Sequence, residues 1–255
     1  MIFFIIIKKL LRIVKSAAAF FLPLLFSVNG LSQNIASYDR ELTKLYRNIL
    51  ADDHWSATDS SAELFEQQFL KTLTKATTFE NSFDSLLQYV TVRSSDDKKI
   101  KFYSWDDYTG GTWHMIHCVA QSRTGNGKIV VRKVSTGNEP EFGGYTDASI
   151  YEVHEISENG KIFYLTFADG THGGGMYHRI EQVFQIDNDS IEKINAFFGS
   201  SDLVQEYPRD YSSRIVYNSS TTELTYCEWL ENATRDGNPC SMATVKWKDG
   251  KFIAE

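Results

Sequence analysis

The sequence is poor in several residue types, and each shortage excludes a class of protein. Its 255 residues hold only 4 Pro and 16 Gly, far too few for a collagen-like chain. Cations are scarce as well: 26 Lys and Arg face 33 Asp and Glu, and no run of five or more basic residues occurs. Nucleic-acid affinity rests on neutralising phosphates with Lys and Arg, so nucleic acid is not an expected partner. Long apolar runs are limited to one, near the N-terminus, and the mean hydropathy is below zero. That excludes a many-pass membrane protein. What is present is a 42% apolar content, too high for a disordered chain. Composition thus describes a soluble globular protein and assigns it no activity.

The first 30 residues carry Lys8, Lys9, Arg12 and Lys15 and no acidic residue. Behind them Ser16–Val28 is apolar, broken by Pro23 and followed by Asn29-Gly30. A positive flank, a short apolar run and small residues at its end form a secretory signal peptide, with cleavage expected before Leu31. A spanning helix needs about 20 apolar residues, so no stable membrane span is expected once the signal is removed. The apolar block Ile2–Ile7 ahead of the lysines leaves an uncleaved anchor as the alternative. No Cys follows the apolar run, so lipid attachment is not expected. Loss of the four cations leaves 22 basic against 33 acidic residues, a net charge of −11 on the mature chain. The expected location is periplasmic or secreted.

Only three cysteines occur, Cys118, Cys227 and Cys240. In an oxidising compartment Cys227 and Cys240 are natural partners across a loop containing Gly237 and Pro239. Three buried thiols are the other reading. Cys118 lies in an apolar run with Met115, Ile116 and Val119, which suits core rather than a reactive thiolate.

Residues 31–90 read as a helical segment and 91–255 as an antiparallel β domain, the two forming one folded unit. Tyr38, Leu42, Leu45 and Ile49 recur at helical spacing. Ser60 with Glu63, and Thr77 with Glu80, are capping-box signatures ahead of the stripes Phe65–Phe69–Leu73 and Phe79–Phe83–Leu86. From about residue 88 the period falls to two. Asn and Gly sit where tight hairpins need positive φ, at Gly125-Asn126-Gly127, Asn159-Gly160, Asp187-Asn188-Asp189 and Asp249-Gly250. The expected fold is α+β and mainly β: short N-terminal helices packed on a long antiparallel meander, as an open or curled sheet. A small four-bladed propeller is the alternative.

Motifs that carry chemistry are few. His172-Gly173-Gly174-Gly175 matches an esterase oxyanion loop, but no Gly-x-Ser-x-Gly elbow accompanies it, so it reads as a glycine-rich turn. His114 and His117, three apart in a strand, point to opposite faces and cannot share a metal. No set of three ligands emerges, so neither a metal nor a cofactor is expected. The carboxylate pairs are Asp106/Asp107, Glu139/Glu141 and Asp187/Asp189. Candidate catalytic residues are His172, His178, Asp106 and Asp107. The most distinctive segment, Phe102–His114, reads as a hairpin with aromatic strand ends and a polar tip. Trp105, Asp106, Asp107, Tyr108 and Trp113 are its candidate binding residues, because flat rings stack while polar groups fix orientation. The opposing reading is that Trp105 and Trp113 fill core and Tyr108 alone is exposed.

This segment also carries a resemblance. Ser104-Trp105-Asp106 followed by Gly110-Gly111-Thr112, with Tyr217-Asn218, Leu224–Tyr226 and Asp249–Phe252, resembles secreted proteins of Gram-negative bacteria that lack an assigned function. The resemblance implies N-terminal helices before a β-rich body and an exported location, and it transfers no catalytic residue. The functional expectation is an exported, non-enzymatic binding or interaction protein for a protein, peptide or glycan, with an inhibitor- or immunity-like role included. An acidic surface suits a basic partner. The alternative is a periplasmic hydrolase with a His/carboxylate site.

Overall fold

The computed structural model describes residues 34–51, 60–108, 112, 114–136, 147–209, 214–229 and 240–254. The N-terminal segment 1–30 therefore lies outside the described residues. Helix α1 covers 34–51 and α2 covers Ser60–Leu73. A short α3, Ala76–Glu80, and a 3₁₀ turn, Leu86–Gln88, complete the helical part. The stripe residues are where the spacing puts them: Leu42, Ile49, Phe65, Phe69, Leu73, Phe83 and Leu86 are all buried. Thr77 caps nothing, because α3 begins one residue earlier and Lys75 occupies the capping position. The 3₁₀ turn is capped at long range instead. The Asp39 carboxylate accepts from the Ser85 and Leu86 amides at 2.8 and 2.9 Å.

Among the described residues thirteen strands follow, and every pairing between them is antiparallel. The first sheet holds β1 (Thr91–Ser94), β2 (Ile100–Asp106), β3 (Ile116–Arg123) and β4 (Ile129–Thr136) in that order. The second holds β5 (Ser149–Glu158), β6 (Lys161–His172), β7 (Met176–Ile186) and β8 (Ile191–Lys193), with β9 (Asp202–Pro208) also on β7. The third holds β10 (Ile215–Asn218), β11 (Glu223–Trp229), β12 (Cys240–Lys248) and β13 (Lys251–Ala254). The protein is thus mainly β, with helices packed on a sheet as expected, but the meander is divided into three sheets instead of running as one.

Three apolar clusters stack the layers in chain order. Helix residues Tyr46, Phe65 and Phe69 pack on Tyr103, Trp105 and Val119 of the first sheet. Ile100, Phe102 and Ala120, on the other face of that sheet, meet Tyr164, Ile180 and Phe184 of the second. Phe163, Leu165, Phe167 and Val183 then meet Leu224, Val245, Trp247 and Phe252 of the third. A register shift between Ile150 and Glu152 explains how β5 serves both sides. Before the bulge Ile150 faces the first sheet; after it Ile156 faces the third.

Several turns are as the residues require. Asn159 and Gly160 have φ of 51° and 77°, and Asp249 and Gly250 have 52° and 78°. Glu158, just before the first of these turns, accepts from the Asp249 and Gly250 amides at 2.8 and 2.9 Å and from the Trp247 indole at 3.2 Å. One carboxylate thereby ties the second sheet to the third. Cys227 and Cys240 form the expected disulfide, Cα–Cα 5.5 Å, across neighbouring strands β11 and β12. Cys118 is a buried free thiol, and burial pushes its pKa up to about 12.

Two outcomes are expected. Alkylation of the denatured, unreduced protein should label one cysteine, Cys118, and reduction should label three while lowering stability by about 3 kcal/mol. Intact-mass measurement and urea unfolding read both quantities. At Gly170 an added Cβ would lie 2.1 Å from His178 Nε2 and 2.3 Å from the Asp147 carbonyl oxygen. Gly170→Ala should therefore cost about 1–3 kcal/mol of stability; an unchanged urea midpoint would show that both the His178 ring and the Asp147 backbone can move aside.

Candidate functional site

The distal ends of two hairpins meet at one end of the stack. One is the β2–β3 connection within the aromatic segment; the other is the β6–β7 connection, which contains His172-Gly-Gly-Gly. The glycine run closes a tight turn, with φ of 76° at Gly174 and 86° at Gly175. The two hairpins are joined by the His114 amide, which donates to Thr171 Oγ1 at 3.0 Å. Between them opens a cavity of about 300 Å³ lined by His114, Ile116, Asp169, Gly170, Thr171, Tyr177 and Tyr207.

The antiparallel register sets the polar part of this cavity. Asp169 lies opposite Arg179 and Tyr177 opposite Tyr207. Arg179 donates to both Asp169 oxygens, at 2.7 and 3.3 Å, and its guanidinium lies over the rings of Tyr151 and Tyr207 at 5.4 and 5.9 Å. A planar cation held by a carboxylate and two rings is a rigid support. The Tyr177 and Tyr207 rings approach to 5.8 Å, and Arg209 lies 5.2 Å over Tyr177. Burial raises the Tyr207 hydroxyl pKa, and the Asp169 charge adds to it.

His114 forms the other wall. Its Nδ1 bonds the Asp106 carboxylate, whose second oxygen accepts the Tyr108 amide at 2.8 Å. Tyr46 of α1 donates to the Asp106 carbonyl at 2.7 Å. His117 belongs to a separate arrangement facing the helices. Its Nε2 donates to Asp107 at 2.8 Å, its Nδ1 is 3.8 Å from Glu66, and its ring stacks on Trp105 at 5.3 Å. Glu66 also pairs with Lys133. The two histidines therefore sit on different carboxylates. Among the described residues no group of three or more His, Cys, Asp or Glu is placed to hold a metal.

The residues singled out in the sequence are dispersed. Trp105 is 2% exposed, packed against Phe65 and Phe69, so it fills core instead of rimming a site. Tyr108 is 41% exposed and takes φ of 62°. Asp106 and Asp107 lie next to each other but serve different histidines. His178 is fully buried, its ring against Gly170 and its Nε2 donating to the Asp147 carbonyl at 3.0 Å, which is a packing role. Trp113, Glu139 and Glu141 lie outside the described residues, as does the His172 side chain. Asp169, Tyr177, Arg179 and Tyr207 were not anticipated. The signal for the first three was available, since closing β6–β7 on the three glycines puts Asp169 opposite Arg179 and Thr171 opposite Tyr177. Comparison of the chain with family models, curated proteins and solved structures finds no match.

Behind Arg179 on β7 lies Glu181, fully buried, with neither carboxylate oxygen hydrogen-bonded among the described residues. Burial pushes its pKa well above the carboxylate range; Arg179 opposes this and Asp169 reinforces it. The folded state therefore keeps a proton that the unfolded chain releases near pH 4.5. Its contribution to stability is full below that pH and is lost as pH rises toward the folded value. Glu181→Gln should remove this slope. Urea midpoints of both proteins from acid to mildly alkaline pH test it, and parallel curves would refute a protonated Glu181.

Proposed function

We propose that this protein is an exported, non-enzymatic binding protein whose cavity between the β2–β3 and β6–β7 hairpins takes the end of a glycan. The observation that carries the reading is the lining itself. Tyr177 and Tyr207 supply ring surface, while Asp169, Thr171 and His114 supply donors and acceptors around it. Sugar rings have apolar faces and hydroxyl edges, and a site of this mixed kind meets both. A cavity of about 300 Å³ suits a sugar unit or two better than a flat protein epitope. The Asp169–Arg179 and His114–Asp106 pairs hold the polar groups in place before any ligand arrives. The signal-like residues 1–30 and the Cys227–Cys240 bridge support export. Among the described residues no helix is long and apolar enough to cross a membrane.

A hydrolase is the second reading, favoured by the His114–Asp106 pair. His114 is 44% exposed at the cavity, and a carboxylate behind a histidine orients it as a general base. A glycan array probed with the wild-type chain tests the first reading directly. A saturable hit should weaken about tenfold in Tyr177→Ala, the order of one lost aromatic contact. No hit, or a hit indifferent to Tyr177→Ala and Asp169→Asn, would overturn it. Release of reducing ends from the bound glycan, abolished by His114→Ala, would replace binding with hydrolysis.

A further inference from the structure

The opposite end of the stack carries a second cavity, of about 560 Å³, where the β1–β2, β3–β4 and β5–β6 turns come together. Its charge runs against that of the protein. Lys98, Lys99, Arg123 and Lys161 line it, and no carboxylate does. A chain with 33 acidic and 26 basic residues thus gathers four cations around one groove.

Two of these cations are compensated from outside the lining. Lys99 pairs with Asp97 at 3.3 Å and Arg123 with Glu80 at 2.8 Å. Lys98 and Lys161 have no ion pair among the described residues, and both are exposed. Arg123 also keeps its Nε–H buried and without an acceptor among the described residues. Beneath the charges lie apolar surfaces from Phe79 and Ile162. The Phe79 ring is already covered by Lys101 and Arg123, at 5.2 and 5.3 Å. Cations crowded on one groove repel each other, and a bound anion removes that repulsion. Two free ammonium groups match a dianion, and the partly exposed Ile162 and Ile186 match a hydrocarbon attached to it.

We propose that this groove binds a phosphate monoester with an apolar substituent, held by Lys98 and Lys161. The site is independent of the glycan reading and shares no residue with that cavity. Calorimetric titration with hexyl phosphate tests it, with inorganic phosphate and hexanol as the two halves of the probe. Hexyl phosphate should bind saturably and more tightly than either half. The double variant Lys98→Ala/Lys161→Ala should weaken binding about a hundredfold, the order of two lost charge-assisted contacts. Lys248→Ala/Lys251→Ala, which removes the same charge from the third sheet, should leave binding unchanged, and so should Tyr177→Ala. Co-sedimentation with phosphatidic acid vesicles, but not phosphatidylcholine vesicles, would assign the ester to a lipid headgroup. Binding of hexyl phosphate without co-sedimentation would assign it to a soluble ester. Absence of saturable binding, or an equal loss in the two lysine double variants, would overturn the proposal.

Discussion

Burial of the second sheet on both faces is the constraint from which the rest of the architecture follows. Neighbours in sequence on β6 serve different cores: Tyr164 packs toward the first sheet, while Phe163 and Leu165 pack toward the third. An antiparallel sheet with one face in water alternates apolar and polar side chains. Here that relief is absent, and β6 runs buried from Phe163 to Ala168. Polar groups that enter this layer are bonded within it or to the third sheet, with Glu181 a buried exception among the described residues. Thr166 donates to the Gln182 carbonyl at 3.2 Å, and Gln205 donates to the Cys227 carbonyl at 2.7 Å. The outer sheet is held by the same economy, since Glu158 uses two acceptor oxygens to bond three donors from β12 and its turn.

Both cavities arise where this packing ends. Three strands of the second sheet, β5, β6 and β7, are longer than any in its neighbours, with 10, 12 and 11 residues. The distal hairpin of β6 and β7 lines the first cavity with polar and aromatic groups. At the other end the turns splay around basic residues. Turn positions favour exposed, polar side chains, so neither concentration of charge disturbs a core. The molecule is thus chemically polarised along its strands, with tyrosines and a His–Asp pair at one end and lysines at the other.

Much of the fold was legible because it rests on local rules. Helical spacing placed Leu42, Phe65, Phe69 and Leu73 in the core, and Asn159-Gly160 and Asp249-Gly250 marked hairpins through the φ they tolerate. The Cys227–Cys240 bridge followed from compartment and spacing. The division into three sheets was not legible, because alternation along a strand does not say which other strand it pairs with. The cavity was hidden for a related reason. His114 and Thr171 are 57 residues apart, and only the stacking of two sheets joins their hairpins. For Trp105 the sequence left rim and core both open, because the helices that cover it lie up to 70 residues upstream. Strand periodicity gives the face a side chain points to and cannot say whether that face is covered.

The order of the layers repeats the order of the chain: helices, first sheet, second sheet, third sheet. Within each layer, successive strands pair through hairpins, with β9 the one return to an earlier neighbour. A chain arranged in this way can assemble in the direction in which it is made. Each sheet, as it emerges, finds the finished surface of the preceding one and needs nothing that lies far downstream. Within each hairpin the loop-closure entropy stays small, while joining the layers closes much longer loops. The bridge joins two neighbouring strands of the last sheet, so it constrains that sheet and crosses to no earlier layer.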